Sequence, residues 1–353
     1  MAEKTQKIGI FDSGLGGTTV LKEMIKSLPN EDYIYYGDNG NFPYGSGKTK
    51  NELQKLTERI LDFFVKNNCK LVIVACNTAS TAAIDYLREK FSLPIIGIVE
   101  AGVKIASKTT KNKNIAVIST KFTAESHGYK NKAKMLDSEL NVKEIACIEF
   151  AQMIESGWDT FDNRKELLNK YLSEIPKNAD TLVLGCTHYP LIRKDIEKKI
   201  KIKVVDPAVE IVERATQTLT TLNLLNDKKE NGKREIILGT NTAPLIKMIS
   251  FGNEVLKNDN ETNVFHIAYL LPERKDLGNF LRNCANELIK LDGVGDHNVS
   301  EAVYLTDPEG NGIEVYADRD SNTWKWENGQ VIMGTETIDL EDLLRISDNL
   351  PDF

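Results

Sequence analysis

The stretches LVIVACNTAS at 71–80 and LVLGCTHYP at 182–190 follow one plan: a short apolar run, a cysteine, then hydroxyl-bearing residues. An apolar run of that length without polar alternation suits a strand buried on both faces of a sheet. Besides Leu71–Ala75 and Thr181–Leu184, similar runs occur at Lys7–Phe11, Tyr33–Tyr36, Ile95–Val99, Ile115–Ser119, Val142–Ala146 and Ile202–Val205. Helix-length segments separate several of them. In Lys50–Asn67, for example, Leu53, Leu56, Ile60, Leu61, Phe64 and Val65 recur near helical spacing. Strands alternating with helices predict an α/β fold with a doubly wound parallel sheet. Ligands in such sheets sit beyond the carboxyl ends of the strands.

The residues at those ends expose an internal repeat. The run IGIF leads to Asp12, and Cys76 follows 64 residues later; IAVIS leads to Thr120, and Cys186 follows 66 residues later. Near-equal spacing, with a cysteine after an apolar strand each time, predicts two similar α/β lobes facing one another. Composition narrows the function. The 353 residues carry 52 acidic and 45 basic side chains, a net −7, so no cationic surplus exists to neutralise a phosphate backbone. Nucleic acid is therefore not an expected partner. No apolar run approaches the roughly 20 residues that span a bilayer, and the N-terminal MAEKTQK leads into no apolar signal segment, so no membrane partner is expected. The five cysteines, at 69, 76, 147, 186 and 284, are odd in number and form no CxxC. That pattern fits a reduced, cytoplasmic chain.

Each of Cys76 and Cys186 would emerge from a strand into the start of a helix, where backbone N–H groups favour thiolate and bind carboxylates. A free thiol has a pKa near 8.5, so modest help makes it a usable base. A cysteine beside an apolar strand is, taken alone, commonly a small buried hydrophobe; two at matching places of a repeat favour chemistry. Cys186 and His188 also form a Cys–x–His pair, but zinc takes three or four protein ligands. Asp12–Gly17 (DSGLGG) is a glycine-rich strand-to-helix turn that matches neither a dinucleotide fingerprint nor a Walker loop. Asn39–Gly47 (NGNFPYGSG) offers backbone N–H groups suited to a carboxylate.

Taken together, DSGLGG at 12–17, YYGD at 35–38, PYG at 43–45, ACNTAS at 75–80 and GCTHYP at 185–190 resemble the glutamate racemases over residues 7–255. The resemblance implies two pseudosymmetric doubly wound lobes, residues 1–98 with 207–256 and residues 99–206, with the site between them. It implies racemisation of glutamate without a cofactor, supplying D-glutamate for peptidoglycan, with aspartate as the alternative substrate. Cys76 would act on D-glutamate with help from Asp12. Cys186 would act on L-glutamate with help from His188, oriented by Glu155; Glu149 is the neighbouring alternative in ACIEFAQMIESG. Asp12, Ser13, Pro43, Tyr44, Gly45, Asn77, Thr78, Thr120, Thr187 and His188 would bind substrate. Three segments depart from the family pattern: Ser119 stands before Thr120, no proline follows Cys147, and Ile236–Thr240 reads IILGT.

A polar linker, Lys257–Asn263 (KNDNETN), precedes a different pattern. His266–Leu271 reads as a strand and Lys275–Leu291 as a helix. Ala302–Thr306, Ile313–Ala317 and Gln330–Met333 read as three further strands, with a hairpin turn at 307–312. This α+β, βαβββ unit over 264–353 resembles a single glyoxalase-like module of the vicinal-oxygen-chelate group. That likeness implies His266, His297 and Glu314 as candidate ligands for a divalent metal. Such modules work in pairs, so this single copy would pair with another subunit, pair with another protein or stay incomplete as a packing module; a homodimer is expected. The competing reading is a metal-binding interaction protein built on a vestigial racemase scaffold.

Overall fold

All five residues of β1 (Ile8–Asp12) are buried, because this strand lies at the centre of a sheet covered on both faces. The computed structural model describes residues 2–226, 234–239, 244–250, 267–286, 289–306, 312–327 and 330–347. After β1 come α1 (Thr18–Ser27), β2 (Tyr33–Gly37), α2 (Lys50–Lys66), β3 (Leu71–Val74), α3 (Asn77–Lys90), β4 (Ile95–Gly97) and α4 (Ile98–Thr109). The next stretch holds β5 (Asn114–Ser119), α5 (Lys121–Glu125), α6 (Gly128–Leu136), β6 (Asn141–Ala146) and α7 (Phe150–Glu155). It continues through α8 (Arg164–Ser173), β7 (Thr181–Gly185), α9 (Arg193–Glu197), β8 (Lys203–Val205) and α10 (Pro207–Thr221). Two more strands follow, β9 (Arg234–Gly239) and β10 (Pro244–Ser250).

The strands form two sheets. One runs β10-β9-β2-β1-β3-β4 and the other β6-β5-β7-β8. All pairings among β1–β4 and among β5–β8 are parallel, so β2-β1-β3-β4 and β6-β5-β7-β8 are the same topology used twice. β9 adds parallel to β2, and β10 closes the edge antiparallel. The strand expected at Ile95–Val99 is shorter: Ile98 and Val99 already belong to α4, where both are buried. Buried residues of a strand and of a helix are equally apolar, so the run Ile95–Val99 carries no mark of the change. Arg234 opens β9; residues 227–233 before it lie outside the described residues.

Local signals account for the helices. Thr49 and Glu52 form a reciprocal capping box at the start of α2, which turns Leu53, Ile60, Leu61 and Phe64 into the core. Asp206 caps α10 through the N–H of Ala208, and Pro207 occupies its first turn. Deeper in the fold, the Lys70 ammonium and the Glu31 carboxylate pair at 2.5 Å with both side chains shielded from solvent. Lys70 also donates to the Leu224 carbonyl, which ties the end of α10 to the sheet. Among the described residues no helix is long and apolar enough to cross a membrane.

Residues 1–254 form one compact unit and residues 255–353 another. The second contains β11 (Ile267–Leu271), α11 (Arg274–Asn286), β12 (Gly293–Asp296), β13 (Ser300–Thr306) and β14 (Gly312–Asp318). Short strands β15 (Trp326–Glu327) and β16 (Gln330–Val331) precede α12 (Leu340–Ile346). The main sheet runs β11-β14-β13-β12, with β11 parallel to β14 and the other pairs antiparallel. A βαβββ order is therefore present, but one of the three strands after the helix, the first, is not among those expected. Gly293–Asp296 (GVGD) supplies it, turning into β13 through Asn298 in left-handed backbone. Two glycines in four residues hide a strand from pattern reading. Gln330–Val331 pairs only with Trp326–Glu327, in a separate two-stranded ribbon. Leu277, Leu281, Val303, Val315 and Leu343 form this unit's core. The linker at 257–263, His266 and turn residues 307–311 lie outside the described residues.

Candidate active site

Because β1 and β3 are adjacent, as are β5 and β7, the loops that follow them converge on one cleft. Ser13, Cys76, Asn77 and Thr78 line it from the first sheet, and Thr120, Cys186, Thr187 and His188 from the second. The loop after β2 contributes Pro43, Tyr44 and Gly45. Cys76 and Cys186 are both buried, at 5% and 6% exposure. They occupy closely equivalent positions of the repeat, Cys76 separated from the end of β3 by one residue and Cys186 directly after β7.

The two thiols differ in their neighbours. Cys76 is the N-cap of α3, its Sγ accepting from the Ala79 N–H at 3.5 Å, and it donates to Ser13 Oγ at 3.7 Å. Burial first, and then the negative charge of Asp12, push its pKa up, so Cys76 is held as a thiol. Cys186 Sγ lies 3.6 Å from His188 Nδ1, while His188 Nε2 bonds to the Glu155 carboxylate. Burial pulls the imidazole down, yet Cys186, Glu155 and Asp12 outweigh it and raise His188 to about 11. Glu155 is itself desolvated, which raises it, but His188 and the Leu15 N–H hold it below its ordinary value. Glu149, the alternative partner, takes the hydroxyl of Tyr171 instead.

Asp12 does not line the cleft. It is fully buried, accepting from the Gly17 N–H at 2.9 Å and from the Thr187 hydroxyl at 3.2 Å. Burial raises its pKa, against the opposing pull of His188 and these donors. The glycine turn brings the two lobes together: a Cβ on Gly16 would stand 2.7 Å from both His188 Nδ1 and Thr187 Oγ1, so only glycine permits the approach. Across the cleft the hydroxyls of Thr78, Thr120 and Thr123 form a cluster, with Thr78 and Thr120 2.9 Å apart. Asn77 takes the Tyr129 hydroxyl on Oδ1. The Tyr44 hydroxyl donates to Asp38, leaving its ring against the cleft.

Phe42, Ser46, Ile148, Ala151 and Gln152 also line the cleft and were not singled out from the sequence. Ile148, Ala151 and Gln152 lie in or just before α7, after β6, and nothing in their residue types marks them. Phe42 and Ser46 flank a segment already read as functional, so adjacency was the available signal.

Residues 8–215 match the family described as Asp/Glu/Hydantoin racemase. The chain belongs to this racemase family. Among racemases of known name, one called glutamate racemase from Fusobacterium nucleatum is 94% identical over 233 residues, which is 66% of this chain and 88% of that protein. A glutamate racemase of Geobacter metallireducens is 38% identical over 252 residues, covering 70% and 92% of the two chains. Among solved structures, glutamate racemase from Francisella tularensis in complex with D-glutamate superposes with a TM-score of 0.62 at 34% identity, covering 67% of this chain and 88% of that one. The Bacillus anthracis enzyme superposes with a TM-score of 0.64 at 33% identity, with the same coverage. The α/β racemase fold with two parallel-sheet lobes is thus shared with these enzymes.

In the second unit, His297 donates or accepts at both nitrogens, Nδ1 with the Gly334 carbonyl at 3.0 Å and Nε2 with the Tyr304 hydroxyl at 2.7 Å. Tyr304 in turn donates to Glu314 at 2.9 Å. The structure therefore links His297 and Glu314 through a tyrosine. Among the described residues no group of three His, Cys, Asp or Glu is arranged to hold a metal ion.

Proposed function

We infer that this chain interconverts L- and D-glutamate by two-base proton transfer. The observation that carries the reading is a pair of buried thiols reaching one cleft from equivalent strand ends of a repeated sheet. Racemisation needs a base on one face of the α-carbon and an acid on the other, and facing halves of a repeat supply such a pair. The environments also divide the work. The raised His188 stands as a charged imidazole beside the Cys186 sulfur, whereas burial and Asp12 hold Cys76 as a thiol.

In the L-to-D direction the Cys186 thiolate takes the α-proton, and the electron pair of the C–H bond remains on the α-carbon. The S–H bond of Cys76 then breaks to supply a proton to the opposite face, leaving a Cys76 thiolate and a Cys186 thiol. The D-to-L direction runs the same steps in reverse. Ser13, Thr78, Thr120 and Thr187 surround the cleft with donors for carboxylate oxygens, where charge grows as the proton leaves, and Asn77 beside them binds substrate. Asp12 acts from behind through Thr187 and through its field on Cys76. The reading includes the reduced, cytoplasmic setting in which five free cysteines persist, and the supply of D-glutamate for peptidoglycan that goes with the family.

The same reading divides the racemase body into lobes 1–98 with 207–256 and 99–206. Residues 264–353 then form one glyoxalase-like module, supported by the β11-β14-β13-β12 order. A second copy of the chain would complete that sheet in a homodimer, which sedimentation equilibrium tests directly. For the reaction, EDTA-treated protein is incubated with L-glutamate in D2O. Loss of optical rotation with deuterium appearing at the α-carbon is the expected result. Rotation that stays constant with glutamate overturns the assignment, and a parallel incubation with aspartate tests the alternative substrate.

A further inference from the structure

Asn77 is the first residue of α3, faces the cleft, and is only 3% exposed. Its two amide atoms are treated differently. Oδ1 accepts the hydroxyl of Tyr129 at 2.7 Å, whereas Nδ2 is buried with no hydrogen-bond partner among the described residues. A buried donor without a partner has lost its water and gained nothing in return, so a ligand atom that accepts from it recovers that cost. The amide must therefore point one way, and Tyr129 sets the direction. With the amide reversed, the phenol proton would lose its acceptor, and the carbonyl oxygen would face an incoming carboxylate.

Tyr129 is well placed to hold such a constraint. It sits in α6, which follows β5 of the second sheet, whereas Asn77 follows β3 of the first. Its ring is 1% exposed and packs with Val99, Val103, Val117 and Val183. Its backbone N–H is anchored on Glu144 at 3.0 Å. Beside it, Gly102 leaves room: a Cβ there would stand 2.7 Å from the Tyr129 hydroxyl. Burial keeps the phenol protonated, hence a donor.

We propose that Tyr129 is a positioning residue for substrate binding: its hydroxyl fixes the Asn77 amide across the lobe boundary so that Nδ2 is presented to a substrate carboxylate. The proposal rests on the racemase reading and adds a residue to it that does not touch substrate. Tyr129→Phe keeps the ring and removes the donor. Because the Asn77 contact is made in ground and transition state alike, KM for glutamate is expected to rise about three- to tenfold with kcat within about twofold. In an Asn77→Ala background the same substitution is expected to add nothing, whereas a merely structural role would add its full effect there. Gly102→Ala, whose Cβ would crowd the hydroxyl at 2.7 Å, is expected to raise KM in the same way and serves if Tyr129→Phe does not fold. An unchanged KM in the folded variants, or an equal effect with Asn77 removed, overturns the proposal while leaving the racemase reading intact. Wild-type protein that fails to racemise glutamate overturns both.

Discussion

The two lobes share a sheet and differ at its ends. β2-β1-β3-β4 and β6-β5-β7-β8 have the same order and direction, and each delivers a buried cysteine to the same cleft. Around Cys76 stand a hydroxyl, a helix N-terminus and the carboxylate of Asp12; around Cys186 stand an imidazole and, behind it, the carboxylate of Glu155. Repetition of the backbone puts acid and base opposite each other. Divergence of the side chains gives the two thiols different partners for the proton. A fully symmetric pair would have no preferred resting protonation state.

The comparison breaks most decisively at the thiols themselves. Each turnover uses both, so Cys76→Ser and Cys186→Ser are each expected to lower racemisation by about 10²–10⁴-fold, the usual worth of a general acid or base. A variant retaining near-normal rates in a polarimetric assay would remove its thiol from the mechanism. The next largest effect lies on the Cys186 side. His188→Gln is expected to lower kcat/KM about 10²-fold, and Glu155→Gln about tenfold. Glu149→Gln should stay within about twofold, because Glu149 is committed to Tyr171. Since enantiomers have equal free energy, kcat/KM must fall equally in both directions; unequal falls would signal inactivation during the assay.

The smallest effect is on stability. His188 is raised from 6.5 to about 11, so its charged form is favoured by folding. Its contribution is fully present below about pH 6.5 and is lost as pH rises toward about 11. Glu155 is lowered from 4.5, so its part is lost as pH falls below that value. The difference in Tm between the protein and His188→Gln should therefore be greatest near pH 5–6 and shrink by pH 10. A difference constant over that range would show that the Cys186 side is not charged as described.

Much of this was legible in the residues. Seven of the eight apolar runs read as strands lie within one residue of β1–β3 and β5–β8, most of them because a strand buried on both faces leaves an unbroken apolar trace. The exception, Ile95–Val99, was cut short by a helix that begins inside it. β12 escaped because Gly293 and Gly295 give no pattern, although its backbone pairs with β13 over four residues. At the site, cysteine, histidine and the glycine turn announced themselves by residue type and position. Gln152 and Ile148 did not, because a residue that merely lines a cleft needs no special chemistry.

By itself the sequence determined the strands, the repeat and the two thiols, since each follows from local apolar patterning and from chemistry a single residue carries. The tertiary structure decided the partners: Glu155 rather than Glu149 at His188, Asp12 behind Thr187 rather than in the cleft, and Tyr129 on Asn77. Those contacts join residues from 33 to 175 positions apart. Which carboxylate meets the imidazole depends on which end of α7 lies against the loop after β7, and spacing along the chain does not encode that.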